Sequence, residues 1–467
     1  MIDLIRKHAG PGEAIVDCDT GERLSYQALI TRVDDIGREL SRRQVRGIVF
    51  LLAANTIDFV MLYLGCLRAA LPVFLADPKS PLESLLEVYR PSMILAPAPS
   101  VFWGYDARGT IACAPNYCVW QGGESYPVHA ELSVLLPTSG STGNPKLVRL
   151  KEGNLRSNAT AIAEYLNLGP GERAIQSLPL YYSYGLSVLN SHLVSGGTVV
   201  LTPHSFLRPE FWGVVDCERC TSFAGIPYMY EVLHRLRFNP AKHPSLKVLT
   251  QAGGGLVREL IAHFHEQATQ AGKQFVVMYG QTEATARISY VPPEKLDTKI
   301  GSIGIPIPMG TLSLREAPGM EDSRELVYEG PNVMMGYAES SEDLALGDVQ
   351  KGMLTTGDLA IKDEDGYFWI VGRLNRFAKL FGRRISLEDI ERRLEVEFKI
   401  PVAVLEGKNE LRVFLEAQGG HVSEAIVGFL SRTMNVPPNA IQTCQMEALP
   451  RTGNGKKNYS ALGTRPC

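Results

Sequence analysis

Short apolar runs, each followed by a helical pattern, recur through the first 280 positions of this 467-residue chain. The runs at 45–55, 71–76 and 92–96 have the length of strands, and helical spacing fills 56–70 and 81–90. Strands that are apolar throughout are typical of parallel sheets covered by helices on both faces. The sequence therefore predicts an α/β fold of doubly wound, mostly parallel sheets. Further strands are predicted at 132–137, 198–202, 220–224, 246–250 and 274–278.

The composition and the hydrophobic pattern of the sequence change after about residue 298. Glycine, proline and short alternating runs dominate 299–372, which is typical of a small β-rich subdomain. From Arg373 onward, helical and strand patterns alternate again and end in a glycine-rich tail. We therefore predict a large N-terminal domain over 1–372, with the β-rich part at about 299–372, and a small α+β C-terminal domain over 373–467.

Composition excludes several classes of function. The chain has 47 basic and 50 acidic residues, and no long run of like charge, which argues against a nucleic-acid coat or a polybasic membrane tail. Charged and polar residues interrupt the most apolar region, 47–76, so no membrane span is expected. Cys217 and Cys220 form a CxxC without a second pair, which favours structural thiols over a zinc site, and a cytoplasmic location is predicted.

The sharpest chemical signal is a loop that follows the predicted strand 132–137. Its glycines allow a tight approach to a ligand, its hydroxyls and N–H groups can donate to phosphate oxygens, and its lysine adds positive charge. The spacing does not fit a Walker A loop. On composition alone, a surface Ser/Gly loop is an equal alternative. The residues are Thr138, Ser139, Gly140, Ser141, Thr142, Gly143, Asn144, Pro145 and Lys146.

Three further segments carry candidate groups, although each alone also fits an ordinary turn or tail. Tyr279-Gly280-Gln281-Thr282-Glu283 follows a predicted strand, where ligands bind in open α/β sheets. Thr282 could donate to a phosphate and Glu283 could hold a divalent metal. Asp358 could hold a ribose diol, and Lys456 lies in a glycine-rich loop that could enter and leave an active site.

In this order and spacing, the four segments resemble the adenylate-forming superfamily of acyl-CoA and aryl-CoA synthetases, stand-alone adenylation domains and luciferases. The resemblance covers about residues 20–460. It includes the further segments SLPLYYSYG, AGGGL, ELVYEGPNVMMGY and GRLNRFAKLFGRRISLEDIE, which begin at Ser177, Ala252, Glu325 and Gly372. It implies ATP and Mg²⁺ as cofactors and a mobile C-terminal domain.

The resemblance also implies a role for each matching residue. The loop from Thr138 to Lys146 would hold the β- and γ-phosphates of ATP. Tyr279 would pack on the adenine, beside Gly280 and Gln281, with the backbone of Gly253, Gly254 and Gly255 along its edge. Asp358 and Arg373 would hold the ribose. Thr282 would contact the α-phosphate, Glu283 the magnesium ion and Tyr182 the region of the substrate carboxylate, with Lys456 as the catalytic lysine.

Two departures from the superfamily pattern bear on the substrate and on the hinge between domains. Many acyl-CoA ligases have histidine where this chain has Tyr182, and amino-acid-activating domains have aspartate where it has Ser183. A buried ammonium without a counter-charge is costly, so an α-amino acid is disfavoured and an acid with an uncharged tail is expected. Asn375 replaces the usual hinge aspartate.

These observations predict an ATP- and Mg²⁺-dependent ligase that forms an acyl-adenylate from a small carboxylic acid and then a thioester, with CoA as acceptor. One alternative is an adenylation enzyme that loads the phosphopantetheine of a separate acyl carrier protein. Another is a non-catalytic homologue that binds nucleotide or acyl groups, which the presence of Lys146, Glu283, Asp358 and Lys456 argues against. A monomer or homodimer is expected, without a nucleic-acid partner.

Overall fold

The computed structural model describes residues 1–98, 100–137, 146–317, 320–374, 376–380, 383–407, 410–417, 420–434, 436–452 and 456–465. The described chain forms two compact units. The first comprises most of residues 1–312 together with 328–354, and the second comprises 313–327 and the chain from 355 onward. The domain boundary at 372/373 stays a prediction.

The strands, in chain order, are β1 Glu13–Asp17, β2 Arg23–Ser25, β3 Val49–Leu52, β4 Val73–Ala76, β5 Met93–Pro97, β6 Tyr105–Ile111, β7 Ala114–Gly122, β8 Leu132–Pro137, β9 Leu147–Lys151, β10 Arg173–Ile175, β11 Thr198–Leu201, β12 Ser222–Gly225, β13 Val248–Gln251, β14 Gln274–Tyr279, β15 Ser289–Tyr290, β16 Ile305–Pro306, β17 Thr311–Ala317, β18 Met320–Glu329, β19 Gly336–Ala338, β20 Met353–Lys362, β21 Phe368–Arg373, β22 Phe377–Leu380, β23 Arg383–Ser386, β24 Val402–Glu406, β25 Leu411–Glu416 and β26 Ile441–Met446.

The α-helices are α1 Ile2–Arg6, α2 Tyr26–Arg42, α3 Ile57–Arg68, α4 Glu83–Tyr89, α5 Glu152–Tyr165, α6 Ser183–Val194, α7 Pro209–Cys217, α8 Pro227–Arg235, α9 Arg258–Gln270, α10 Leu387–Phe398, α11 Gly420–Met434 and α12 Tyr459–Gly463. In the part of the chain that the structure describes, no helix combines the length and apolarity required to cross a bilayer.

Two large sheets form the frame of the first unit. One has the strand order β16-β15-β14-β13-β12-β10-β11-β1-β2, and the other β19-β9-β8-β4-β3-β5-β7-β6. Neighbours from β14 to β1 in the first sheet, and from β8 to β5 in the second, run parallel. The predicted α/β class with parallel sheets is confirmed, and β4, β5, β8, β11 and β14 match the predicted strands within two residues at each end.

The largest core lies between the two sheets, with residues from α2, α3, α5 and α6. Helix α3 is apolar on every side because it is enclosed: all of its residues from Ile57 to Leu67 are buried. Its N-terminus is capped by Thr56, whose hydroxyl accepts from the amide of Phe59. The helices between the sheets therefore hold the carboxyl ends of the parallel strands in fixed positions.

The second unit contains most of a four-stranded sheet (β17-β18-β20-β21), a hairpin (β22-β23) and a three-stranded sheet (β24-β25-β26). Helices α10 and α11 pack their apolar faces on the three-stranded sheet. In the first unit, Cys217 and Cys220 carry free thiols, Cys217 exposed and Cys220 buried. Cys444 in the second unit is disulfide-bonded, which the expectation of structural thiols did not include.

Candidate functional site

The candidate residues of the first unit follow the carboxyl ends of neighbouring strands. β13 ends one residue before Ala252-Gly253-Gly254-Gly255, and β14 ends at Tyr279, directly before Gly280, Gln281, Thr282 and Glu283. β8 ends at Pro137, and the loop 138–145 that follows it lies outside the described residues. Lys146, the last residue of that predicted phosphate loop, is described and directly precedes β9.

Glu283 lies on a short turn of 3₁₀ helix, Thr282–Ala284. Its carboxylate accepts a hydrogen bond of 2.8 Å from the hydroxyl of Tyr337 on β19. The ring of the same tyrosine lies beneath the ammonium of Lys146, with Nζ 3.7 Å from the ring centroid. Lys146 also forms an ion pair of 3.2 Å with the exposed Glu339. One tyrosine thus brings together a carboxylate and an ammonium that are 137 residues apart in sequence.

A buried asparagine fixes the backbone of this turn. Asn332 donates to the carbonyls of Ala284 and Arg287 at 2.8 and 2.9 Å, and its own carbonyl accepts from the Thr285 hydroxyl at 2.7 Å. Thr285 has a left-handed backbone (φ 64°), which a β-branched residue rarely adopts. Asn332 compensates for this strained conformation by satisfying three backbone or hydroxyl groups at once.

Tyr182 and Ser183 bring a second segment to the same place. Tyr182 precedes α6, and the Ser183 hydroxyl lies 3.4 Å from the hydroxyl of Thr282. Burial raises the pKa of Tyr182 to about 12, so its hydroxyl is protonated at neutral pH. That hydroxyl would stand 2.5 Å from a Cβ built at Gly253, where φ is 90°. Only glycine at 253 therefore accommodates both the backbone and the neighbouring ring.

The remaining members of the predicted nucleotide site occupy the turns after the same strands. Gly254 accepts a hydrogen bond of 2.9 Å from the side chain of the buried Gln251. Gly280 has no room for a side chain, because a Cβ there would lie 2.0 Å from the carbonyl oxygen of Ala286. Tyr279 at the end of β14 is partly buried, and its carbonyl accepts from the amide of Ile288.

Asp358, Arg373 and Lys456 belong to the second unit. Asp358 on β20 is paired in register with Arg373 on β21, and the guanidinium lies 2.8 Å from the carboxylate. Lys456 is partly exposed, and its carbonyl accepts from the amide of Thr452 at 2.8 Å. Asn375, the predicted hinge residue, lies outside the described residues.

The next lysine in the chain has a different environment. Lys457 is largely buried and forms ion pairs with Glu391 at 3.2 Å and Glu395 at 2.8 Å. Burial lowers its pKa, but the two carboxylates outweigh this effect and the net shift is upward. Lys457 is therefore a structural cation that joins the C-terminal segment to helix α10.

The chemistry of the first-unit site fits a magnesium ion that is shared with phosphates. Mg²⁺ prefers oxygen ligands and is held in phosphate-binding enzymes by one or two carboxylates, with phosphate oxygens and water as further ligands. Glu283 supplies such a carboxylate, and no group of three or more potential ligands occurs among the described residues. A dedicated all-protein metal cage is thus absent from that part of the chain.

Comparison with known proteins identifies the family. A model of the AMP-binding enzymes, described as "AMP-binding enzyme", matches residues 6–338. The chain belongs to this family. Among AMP-binding relatives, feruloyl-CoA synthase of Amycolatopsis sp is 30% identical over 344 residues, which cover 70% of this chain and 68% of that protein. Indoleacetate–CoA ligase of Aromatoleum aromaticum is 28% identical over 501 residues, covering 98% and 96%.

Solved structures of AMP-binding proteins share the fold. One is o-succinylbenzoate–CoA synthetase from Bacillus subtilis in complex with ATP and magnesium ion, with a TM-score of 0.78 at 21% identity, over 98% of this chain and 99% of that one. The predicted superfamily is confirmed. So is the predicted enzyme class, an adenylate-forming acid–thiol ligase.

Sequence reasoning did not assign a role to three residues that organise the first-unit site. Asn332 and Tyr337 lie in the segment from Glu325 to Tyr337, which was recognised only as part of the resemblance. Arg287 lies four residues beyond Glu283 and is buried. For Asn332 and Tyr337 the available signal was a polar side chain at either end of the largely apolar run NVMMGY. The local sequence gives no comparable signal for Arg287.

Proposed function

We propose that this AMP-binding enzyme activates a small carboxylic acid with ATP and Mg²⁺ and transfers the acyl group to CoA. The observation that supports this most strongly is the group formed by Thr282, Glu283, Ser183 and Tyr182 at the carboxyl end of β14, with Lys146 beside Glu283 through Tyr337. The group offers hydroxyl donors, one carboxylate and one ammonium, which three separate segments of the chain bring together.

These residues suit the attack of a carboxylate on the α-phosphorus of ATP. Both reactants are anions, so the barrier falls when preorganised donors and cations offset their repulsion. Thr282 donates to the α-phosphate, and Lys146 supplies positive charge to the leaving pyrophosphate. Glu283 holds the Mg²⁺, which neutralises charge on the phosphates when bound.

Three residues of the second unit have proposed roles in the same reaction. In the proposed reaction, Asp358 accepts from the ribose hydroxyls and Arg373 keeps this carboxylate in position. Lys456 provides the cation for adenylate formation, and its loop leaves the site before thioester formation. The names of the two sequence relatives, a feruloyl-CoA synthase and an indoleacetate–CoA ligase, support CoA as the acceptor and an organic acid as the substrate.

The decisive experiment is magnesium-dependent exchange of labelled pyrophosphate into ATP, over a panel of aryl, short-chain, fatty and amino acids. The proposal expects exchange with at least one acid that lacks an α-amino group. Exchange with no acid would indicate a non-catalytic homologue. Exchange with ordinary amino acids alone would reverse the substrate assignment.

The acceptor is tested with the acid that gives the fastest exchange. The enzyme receives this acid, ATP and either CoA or a panel of phosphopantetheinylated carrier proteins. Acyl-CoA formation at a rate comparable with the exchange supports the proposal. Negligible turnover with CoA, beside fast loading of a carrier protein, would assign the enzyme to carrier loading instead.

A further inference from the structure

A cavity of about 380 Å³ lies next to the turn that carries Glu283. One wall is helix α6, which presents Tyr184, Ser187, Ser191 and His192 at helical spacing; the facing wall is the sheet from β10 to β14. Its volume lies within the range of small-molecule sites. All of its lining residues fall between 162 and 287, in the first unit and within the described chain.

Arg287 brings a cation into this cavity. It is buried, with 3% of its surface exposed, and it lines the cavity wall. Its Nε points at the Sδ of Met278 at 3.5 Å, its Nη1 lies 3.4 Å from the carbonyl oxygen of Ala286, and its guanidinium stacks on the ring of Tyr184 at 3.9 Å. All three contacts are with groups that carry no charge.

No carboxylate in the described part of the chain pairs with Arg287. Glu172 also lines the cavity but is paired with Lys247 at 2.6 Å, so that pair adds no net charge. His192 is neutral at physiological pH, since burial lowers its pKa to about 4. A buried guanidinium without a counter-charge is costly. The cavity therefore has one uncompensated positive charge and the room for an anion.

The position of Arg287 connects this charge to the reaction site. The backbone of Ala286 and Arg287 packs directly against Gly280, so a Cβ at Gly280 would lie 2.8 Å from the Cα of Arg287. Asn332 holds the carbonyl of Arg287 from the opposite side. Tyr184 lies two residues after Tyr182, with the two ring centroids 6.4 Å apart. The cavity therefore borders two segments of the proposed reaction site, the start of α6 and the turn after β14.

We propose that this cavity receives the tail of the acid substrate and that Arg287 pairs with a second anionic group on that tail, so that the preferred substrate is a dicarboxylic acid. This inference rests on the proposed function and specifies its substrate class. It differs from the expectation of an uncharged tail, which was based on the absence of acidic residues near Ser183. That absence disfavours a cationic tail but not an anionic one.

Three hydroxyl groups of the cavity wall are not available as donors to an anionic tail. Ser187 and Ser191 donate to carbonyls of their own helix, and Tyr184 donates to the carbonyl of Thr250. Because a carboxylate only accepts hydrogen bonds, it has to find its donor elsewhere in the cavity. Lys247 is paired with Glu172, whereas the planar fork of Arg287 suits a carboxylate.

The test uses matched pairs of acids, each a dicarboxylic acid and the monoacid in which a methyl group replaces the distal carboxylate. The panel comprises straight-chain pairs of three to eight carbons and one aromatic pair, so that it samples tails of different length and shape. In pyrophosphate exchange we expect kcat/KM for at least one dicarboxylic acid to exceed that of its monoacid by about 30-fold or more, the equivalent of about 2 kcal/mol for a buried charge pair. Arg287→Met should abolish this preference, and Arg287→Lys should retain part of it.

Arg156→Met is the matched control, because Arg156 is an exposed arginine on α5 outside the cavity lining. It should keep the wild-type preference. A preference for the monoacid in every pair would overturn the inference and leave the ligase function standing. So would a preference for the diacid that survives in a folded Arg287→Met variant.

A measurement without turnover separates the two proposals. Calorimetric titration of the full-length protein with the same acids, in the absence of ATP, reports occupancy of the cavity alone. One outcome is that a diacid binds the wild type but not Arg287→Met, while no acid supports exchange. This outcome would support the proposed role of the cavity and reject the proposed ligase function. If Arg287→Met does not fold, the test uses the wild type alone. Equal affinity of the wild type for the diacid and the monoacid of every pair would then reject the proposed role of the cavity.

Discussion

Glu283 and Arg287 are four residues apart in the sequence, yet their charged groups have opposite environments. Around Glu283 each charge has a partner: its carboxylate is bound by Tyr337, and the ammonium of Lys146 by Tyr337 and Glu339. Within the described residues, Arg287 contacts neutral groups and no charged partner. The difference suggests that one site is assembled before ligands arrive, while the other gains its counter-charge from the substrate.

Two adjacent lysines of the second unit have different proposed roles. Lys457 forms ion pairs with Glu391 and Glu395, whereas Lys456 is the lysine that the sequence motif predicts to be catalytic. One ammonium stabilises the fold, and the other is proposed to serve the reaction. Substitutions at these adjacent positions test whether the two roles are separate.

The largest effect is expected for Lys456→Ala. Adenylate formation should fall by about 1,000-fold, since a preorganised charge on the transition state is removed. Transfer from a supplied acyl-adenylate to the thiol should be spared, and the unfolding temperature should match the wild type. The two half-reactions are measured separately by exchange and by thioester formation. Equal loss of both would mean that Lys456 is structural, and the contrast with Lys457 would collapse.

Lys457→Ala should instead affect stability. Removing one partner from a buried ion-pair network costs about 3 kcal/mol in the free energy of unfolding, because Glu391 and Glu395 lose a counter-charge. Chemical denaturation measures this loss, with Lys456→Ala as the control in the adjacent position. A Lys457→Ala variant that is as stable as Lys456→Ala would contradict the assignment.

Glu283→Gln tests the proposed metal ligand. The amide keeps the shape of the side chain and can accept from Tyr337, but it lacks the charge that a hard cation requires. Exchange should fall by about 100-fold, and the Mg²⁺ concentration for half-maximal rate should rise. Glu294→Gln, at an exposed position, is the control. A slower enzyme with unchanged magnesium dependence would argue that Glu283 acts in another way.

The smallest change is expected for Tyr337→Phe. This variant removes the hydrogen bond to Glu283 and keeps the ring under Lys146, so about 1 kcal/mol, less than a tenfold effect on kcat/KM for MgATP, is expected. Tyr337→Leu, which also removes the ring, should cost more. If both variants lose as much as Glu283→Gln, Tyr337 takes part in the reaction directly rather than by holding its neighbours.

The pattern of the sequence predicted the frame of the fold because buried parallel strands are apolar throughout. Strand β8, predicted at 132–137, has those same bounds in the structure. The hairpin formed by β6 and β7 was not predicted. The central residues of β6 are exposed, from Asp106 to Thr110, so this edge strand has almost no hydrophobic signal.

The sequence predicted those parts of the candidate site that lie in local motifs. The segments with Glu283 and Gly253 could be placed after strands from the sequence alone. Arg287 could not, since a buried arginine without a partner is recognised only when its neighbours in space are known. The roles assigned to individual site residues stay predictions, as does the phosphate loop at 138–145, which lies outside the described residues.

The close packing of Arg287 against Gly280 restricts how this enzyme could acquire a new substrate range. A bulkier or shorter residue among 284–287 would shift the backbone that positions Glu283, so a gain in selectivity there would cost turnover. Ser187, Ser191 and Ser222 line the same cavity from other elements. Selection for new acids, natural or in the laboratory, should therefore accumulate changes on helix α6 and strand β12 before it alters the turn.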